Sequence, residues 1–314
     1  MNIYEYKQGE ALPIGKCVLA LGLFDGMHIA HRDLIAKGKE LAKEAGLPLG
    51  IFTFDGESGI KSSVPKIYDT KHRLVLAERA GADFAVVADF GALCYLPSED
   101  FVSYVLIRDC HAEIAVAGFN FRFGKGAAAG ADELVGLMVA RGKRAYIREE
   151  FKFNGATVSS SLIRSFISLG NMHEARKLLG APYSISGKVY HGDGRGRGMG
   201  LPTVNVDIPE GRVLPALGVY RSAVPINGKI YNAVTNIGTC PTFGERGLHA
   251  ETYILDFEGD LYGRDIEIFL LAYLRGERKY ERQNDLIIQI KLDISQTIIK
   301  NGDITWQELG LNLR

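Results

Sequence analysis

The chain has 314 residues, and Lys+Arg and Asp+Glu both count 37. That length favours two domains, and zero net charge argues against a general binder of nucleic acid or acidic membranes. Apolar residues make up 46% of the chain, ample for two cores. Cys17, Cys94, Cys110 and Cys240 are widely spaced with no C-x-x-C pair. Reduced thiols in a cytoplasmic protein fit that spacing better than zinc or a disulfide framework. The opening MNIYEYKQGE has no basic-then-apolar signal pattern, and no apolar run approaches the ~18 residues of a membrane span.

Cys17–Leu23 is a short apolar run and reads as a buried strand. It leads through Gly22–His31 (GLFDGMHIAH) into an amphipathic helix that ends at Gly46. Leu49–Phe54 and Phe84–Val87 read as strands, with a helix at Thr70–Ala80 between them. Ser98 is a candidate N-cap for a helix through Asp109, and Glu113–Ala117 is a fourth strand. Strands alternating with helices imply a doubly wound parallel α/β sheet of Rossmann-like type. Ligands of such sheets bind beyond the carboxyl ends of strands, so Gly22–His31 is the place to look. Its His28 and His31, at i and i+3, would share one face beside the positive end of a helix dipole. Imidazoles there can stabilise charge on a transferring phosphoryl group. A metal pair or two surface histidines are the alternatives, and no third ligand is obvious. Phe121 and Phe123 alternate and suit either core or a ring wall. His72 and His111 read as solvated, and Cys94 and Cys110 as plain thiols.

Leu162–Leu179 reads as a helix in two pieces, broken at Gly170-Asn171, with Asn171 capping the second. Gly180-Ala181-Pro182 ends it, and the domain boundary is drawn there, between 1–180 and 181–314. Short strand-like runs follow: Tyr183–Tyr190, Val204–Ile208, Gly218–Ile226, Lys229–Asn236, Glu251–Leu255 and Ile266–Leu274. Asn227-Gly228 is a two-residue hairpin signal. Many short strands with Gly-rich turns predict an antiparallel barrel or sandwich, closed by a helix at Asn284–Lys300. Between the first two runs lies GKVYHGDGRGRGMGLPTVN, residues 187–205. Gly192, Gly194, Gly196, Gly198 and Gly200 would let backbone N–H groups approach an anion, and Arg195 and Arg197 add charge. Thr203 and Asn205, at i and i+2, face one side of a strand and could reach one metal–phosphate group. A flexible surface loop is the plain alternative, and the loop does not fit the Walker pattern.

GLFDGMHIAH resembles the G-x-F-D-G-x-H-x-G-H signature of the nucleotidyltransferase superfamily, in the form used by bacterial FAD synthetases. Gly118–Gly124 (GFNFRFG) and Ser159–Arg164 (SSSLIR) resemble two later segments of that family. The resemblance implies adenylyl transfer from ATP to FMN, giving FAD and pyrophosphate. His28 and His31 would hold the ATP phosphates, and the turn with Gly22, Phe24, Asp25 and Gly26 would bring backbone amides to the nucleotide. Asn120 would sit near the metal–phosphate group and the flavin phosphate; Ser160, Ser161 and Arg164 would close on the phosphates. Ala30 replaces the usual Gly, where a methyl would crowd any nucleotide packed on the backbone. Gly56-Glu57-Ser58 stands where relatives carry a Pro-His-Pro-like segment, and Leu162 where Thr or Arg is common.

The 187–205 loop resembles the riboflavin kinase pattern of a Gly-rich loop followed by G-[FLI]-P-T-x-N. Asn236-Ile237-Gly238 with Pro241-Thr242-Phe243, Glu251–Gly263 (ETYILDFEGDLYG) and Leu274–Gln289 resemble further segments of that family. The resemblance implies Glu251 as the base for the riboflavin 5′-hydroxyl, with a surface strand carboxylate as the alternative. Thr203 and Asn205 would hold Mg²⁺ and the ATP phosphates, suiting an ion that takes few protein oxygens. The loop carrying Gly192, Gly194, Gly200 and Pro202 would cover the phosphates. Asn236 and Gly238 fall in the nucleotide-side loop. Arg275 and the segment around Tyr280, a Tyr standing for Phe, would border the flavin. His191 and His249 read as exposed loop residues. Together the two halves resemble the bacterial bifunctional riboflavin kinase/FMN adenylyltransferase family. That implies ATP and Mg²⁺, riboflavin and FMN as substrates, FMN and FAD as products, and leaves a homo-oligomer open. The alternatives are a monofunctional riboflavin kinase with a degenerate first domain, and a flavin-binding regulator without turnover.

Overall fold

The computed structural model describes residues 1–55, 64–192, 201–239, 248–278, 280, 282–299 and 304–311. The chain divides into two compact units, Met1–Ser160 and Ser161–Arg314.

The first unit is built on strands β1 (Asn2–Tyr6), β2 (Cys17–Leu21), β3 (Leu49–Phe54), β4 (Phe84–Ala88), β5 (Ala112–Gly118) and β6 (Arg144–Arg148). All six pair in parallel, in the order β1-β4-β3-β2-β5-β6. β2 runs through the middle and is buried on both faces, which is why its sequence is continuously apolar. Cys17, Leu19 and Leu21 enter one core with Phe52, Val102 and Leu106; Val18 and Ala20 enter the other with Ile35, Ile51 and Val116. Helix α1 (Ile29–Ala45) stops at Gly46, whose φ of 66° is left-handed. In α2 (Thr70–Arg79) the cap is Asp69, which accepts from His72 N at 2.7 Å. His72 is half-buried and stacks on Tyr68, 4.2 Å between ring centroids.

Ser98 does not cap the next helix. After the short α3 (Phe90–Leu93) it is the first residue of α4 (Ser98–Asp100), Pro97 holds the cap position, and the Ser98 hydroxyl donates to Glu133 instead. From Phe101 to Asp109 the helix widens to π winding, so Cys110 N donates to Val105 O at 3.0 Å. Helix α5 (Ala131–Val139) and the small hairpin β7 (Lys152–Phe153)–β8 (Ala156–Thr157) complete the unit.

Helices α6 (Ser160–Ser168) and α7 (Met172–Leu179) follow. Asn171 caps α7 by accepting from Glu174 N at 3.3 Å, and left-handed Gly180 ends it. The buried Met172, Ala175, Leu178 and Leu179 pack α7 on β9 (Tyr183–Lys188) and the last strand of the unit. That packing is why the compact units divide before these helices, whereas the boundary drawn from sequence follows them.

With β10 (Thr203–Asp207), β11 (Gly218–Ile226), β12 (Lys229–Thr239), β13 (Leu248–Ile254) and β14 (Asp265–Arg275), β9 forms an antiparallel sheet in the order β10-β13-β12-β11-β14-β9. A bridge between Tyr190 and Asn205 links the segment after β9 to β10 and rolls the sheet into a barrel. Asn227 and Gly228, both at positive φ, make the β11–β12 hairpin. Inside, the hydroxyls of Ser222, Thr235 and Thr252 form a ladder with spacings of 2.7 and 2.9 Å. Helix α8 (Gln283–Ile299) closes the unit. The architecture is the α/β sheet plus antiparallel barrel and terminal helix that the sequence implies. Cys17, Cys94 and Cys110 are free thiols. Among the described residues no helix is long and apolar enough to cross a membrane.

Candidate active sites

A cavity of about 390 Å³ opens in the first unit around the turns that follow β2, β3 and β5. Gly22, His28, Ala30 and His31 line it from the turn into α1, Phe54 and Asp55 from the end of β3, and Asn120 and Phe121 from the turn after β5. Ser159 and Ser160 also reach it. His28 is the N-cap of α1: its Nδ1 accepts from His31 N at 3.4 Å. The two imidazoles stack at 3.5 Å and 16°. Burial pushes His28 down to about 4, with Arg32 adding to the effect. Burial, then His28, then Arg73 hold His31 well below its ordinary value. Both rings are therefore neutral at neutral pH and stack without repulsion. The His31 Nδ1 is buried without a hydrogen-bond partner, and a neutral imidazole nitrogen can donate to an arriving oxyanion. Among the described residues no group of three candidate ligands could hold a metal ion.

Phe24, Asp25 and Gly26 shape the turn and do not line the cavity. Phe24 has φ 55° and its ring is buried in the core, edge-on to His31 at 5.3 Å. Asp25 Oδ1 accepts from Ile67 N at 2.8 Å, and the Asp25 carbonyl accepts from Ser160 Oγ at 2.8 Å. Gly26 has φ 83°, and a Cβ there would lie 2.7 Å from Ile67. Ser161 and Arg164 fall in the second unit, where Arg164 Nη2 donates to Ser161 Oγ at 3.0 Å. Phe121 and Phe123 split the two roles foreseen for them. Phe123 is core, and Phe121 packs beside it at 5.6 Å while walling the cavity.

Arg73 is a residue that sequence reasoning missed. It is fully buried, donating from Nη1 to Leu23 O and to Thr53 Oγ1 (3.1 Å). Its Nη2 donates to Phe54 O and Thr70 Oγ1, both at 2.9 Å. One guanidinium thus joins the histidine turn, the end of β3 and α2. Its only sequence signal is a basic residue beside Leu74 and Ala77, on the buried side of α2.

A second cavity, of about 300 Å³, lies on the outer face of the barrel sheet against α8. Register brings its polar wall together: Asn205 and Asn236 both lie opposite Glu251, and Thr203 lies opposite Tyr253. Thr203 Oγ1 donates to Glu251 Oε1 at 2.8 Å. Thr203, Asn236, Glu251 and Arg275 line the cavity, with Leu201, Val219, Val234, Leu286 and Ile290 as apolar wall. Asn205 does not line it. Its buried amide packs on Gly192, where a Cβ would lie 2.4 Å from Nδ2. Gly238 is likewise covered, with Glu277 Oε1 2.4 Å from the place of a Cβ. Pro202 is exposed. Gly194, Gly200 and the rest of the glycine loop, Pro241-Thr242-Phe243, Gly56-Glu57-Ser58 and Cys240 lie outside the described residues. His191, exposed, stacks on Tyr262 at 3.5 Å. His249 is half-buried on β13, not in a loop, and its Nδ1 has no partner.

Arg275 is held by Asp293 of α8, with Nε at 3.1 Å from both carboxylate oxygens and Nη2 at 2.7 Å from Oδ2. Burial opposes the charge on Arg275, but the Asp293 carboxylate outweighs it and raises the guanidinium above its ordinary value. Gln289 Nε2 donates to Asp293 Oδ1 at 2.9 Å. Asp293 is a second residue the sequence reading missed. Its signal is the i, i+4 spacing from Gln289 on one helix face.

Residues 13–162 match the model of the FAD synthetase family and residues 179–299 that of riboflavin kinase. The parallel-sheet unit and the barrel therefore define a two-domain protein of the flavin-nucleotide-forming class. The bifunctional riboflavin kinase/FMN adenylyltransferase of Listeria monocytogenes is 34% identical over 89% of this chain and 91% of its own length. That of Bacillus subtilis is 33% identical over 90% and 92%. A crystal structure described as the macrolide-efflux protein from Streptococcus pneumoniae superposes with a TM-score of 0.84 at 29% identity, covering 96% of this chain and 100% of that one. The chain belongs to the bifunctional riboflavin kinase/FMN adenylyltransferase family.

Proposed function

We propose that the two cavities carry successive ATP-dependent steps on one flavin: the barrel phosphorylates riboflavin to FMN, and the parallel-sheet unit adenylylates FMN to FAD. The observation that carries the first step is the Thr203–Glu251 hydrogen bond on the wall of the barrel cavity. Glu251 takes the proton of the riboflavin 5′-hydroxyl as that oxygen bonds to the γ-phosphorus of ATP, and the bond to the β-phosphate oxygen breaks to release ADP. Thr203 Oγ1 donates a hydrogen bond to Glu251, which orients the carboxylate and leaves the Thr203 lone pairs free. Those lone pairs are hard neutral donors that fit Mg²⁺; the Asn205 amide oxygen is a donor of the same kind, but its amide is seated on Gly192 and outside the cavity lining. Bound there, Mg²⁺ would neutralise phosphate charge.

In the first unit His28 and His31 meet the triphosphate, and Asn120 and Ser160 border it. An FMN phosphate oxygen bonds to the α-phosphorus of ATP, and the bond to the β-phosphate breaks with release of pyrophosphate. The FMN phosphate is already an anion, so positioning and charge stabilisation suffice without a general base.

The test is the full chain incubated with riboflavin, ATP and Mg²⁺, with products separated by chromatography. Both FMN and FAD are expected. FMN alone would reduce the protein to a riboflavin kinase, and no flavin nucleotide would overturn the enzymatic reading. Glu251→Gln should lower FMN formation by about 10²–10³-fold and leave FAD formation from supplied FMN intact. Loss of both activities would mean that Glu251 is structural or the units are coupled.

A further inference from the structure

The polar groups of the first cavity come from separate stretches of chain. His28 and His31 stand on the turn into α1, and Asn120 stands on the turn after β5. Arg148, at the end of β6, is bonded to both stretches and lines the cavity itself. In register it lies opposite Gly118, and its carbonyl accepts from Phe119 N at 2.8 Å, which fixes the residue just before Asn120. Its guanidinium grips Asp33 of α1 with two bonds, Nε to Oδ2 and Nη2 to Oδ1, the second at 2.8 Å. Two parallel bonds of this kind hold an orientation as well as a charge. Asp33 lies one helical turn beyond Ala30, which lines the cavity, so the bond sits on the cavity side of α1. The sheet order places β5 between β2 and β6. The ion pair therefore spans the end of β5, from the helix that follows β2 to the strand beyond. Both side chains are half-buried, and a pair that water still reaches adds little stability. Its consequence is geometric.

We propose that the Arg148–Asp33 pair sets the spacing between the histidine turn and the Asn120 turn, and so keeps the FMN phosphate in line with the α-phosphorus of ATP. The inference rests on the reading that this cavity joins ATP to FMN. Arg148 and Asp33 are positioning residues, and neither touches the reacting atoms.

The test is a double-mutant cycle on the full chain, read as FAD formation from supplied FMN, ATP and Mg²⁺, with the thermal midpoint of the first unit alongside. Arg148→Met and Asp33→Asn should each lower kcat about 10-fold, within the ~10²-fold that a misplacement of about 1 Å can cost. KM for ATP and for FMN should move by less than about 2-fold. Kinase kinetics should hold, and the midpoint should barely shift. The double variant should be no slower than the worse single one, because the two residues act through one contact. Arg148→Lys, which keeps the charge but not the fork, should regain part of the rate. A raised KM in Arg148→Met with Asp33→Asn unaffected would overturn the proposal, since the guanidinium would then be holding substrate. Additive losses, parental rates in both single variants, or a loss that tracks the fraction unfolded would overturn it as well. His31→Gln separates this from the underlying reading. If the parent forms no FAD, or His31→Gln leaves FAD formation intact, adenylylation does not occur in this cavity and both fall. If His31→Gln abolishes FAD formation while the pair variants keep the parental rate, only the pair falls.

Discussion

The two cavities hold polar groups ready in opposite ways. In the first unit the polar wall is a turn at a strand end, and its key side chains, His28 and His31, are stacked and uncharged. In the barrel the wall is a sheet face, and its key groups are already paired: Thr203 with Glu251, Arg275 with Asp293. A buried neutral pair gains favourable charge only when an anion arrives. A buried ion pair has already been desolvated and fails when either partner is lost. The first site should therefore respond to pH, and the second to removal of a single partner.

Asp293→Ala gives the largest expected effect. Arg275 would be left as a nearly buried cation, its side chain 14% exposed beside a carboxylate 3% exposed. Breaking such a pair costs about 3–5 kcal/mol, which should appear as a lower denaturation midpoint of the barrel. FMN formation should fall with it, while FAD formation from supplied FMN persists. Replacing both partners by apolar residues, Arg275→Met with Asp293→Leu, should cost less than the single change. A single variant as stable as the parent would show that water already screens the pair.

Acid should act on the first unit more than on the barrel. An unfolded imidazole titrates near 6.5, whereas burial holds folded His28 at about 4. Above 6.5 both states are neutral and the stability is fully present. As pH falls toward 4 the unfolded chain binds a proton that the folded chain refuses, and stability is lost, by on the order of 3 kcal/mol. Denaturant midpoints of the first unit at pH 7 and pH 5 measure this, and His28→Gln should flatten the slope. A midpoint that rises on acidification would mean that the imidazoles are charged in the folded protein.

The parts of this comparison differed in how far the sequence revealed them. β2 is legible because burial on both faces makes it continuously apolar, and the turn after it is legible because two histidines sit at one helix start. Edge strands β1 (NIYEY) and β6 (RAYIR) carry charge and show neither a continuous nor an alternating apolar run, so nothing marked them. Thr203 and Asn205 can be paired from sequence because i and i+2 on a strand share a face, whereas Glu251 comes only from the resemblance, and register across the sheet brings it to Thr203. The resemblance puts Phe24, Asp25 and Gly26 at the nucleotide through the backbone amides of their turn, and says nothing of where their side chains go. Positive φ at Phe24, Gly26 and Met27 folds the side chains away, turning Phe24 into core and Asp25 toward Ile67. Arg73 and Asp293 leave only faint local marks for a different reason: beside the near partners Thr70 and Gln289, the bonds that give them their roles run to Leu23 and Arg275, far off in the chain.

Ser160→Ala is the finest test of how the first site is held. Ser160 both lines the cavity and donates to the Asp25 carbonyl at 2.8 Å. If its work is to tie down the turn, the loss is one neutral hydrogen bond, about 0.5–1.5 kcal/mol of stability in the first unit. KM for ATP in adenylylation should then rise about 2–10-fold, with kinase kinetics unchanged. A loss near 10²-fold in kcat, with stability intact, would instead put the hydroxyl on the phosphates in the transition state. No change in either would leave Arg73 and the Asp25–Ile67 bond as sufficient to hold the turn, because together they fix it from both sides at Leu23 and Asp25.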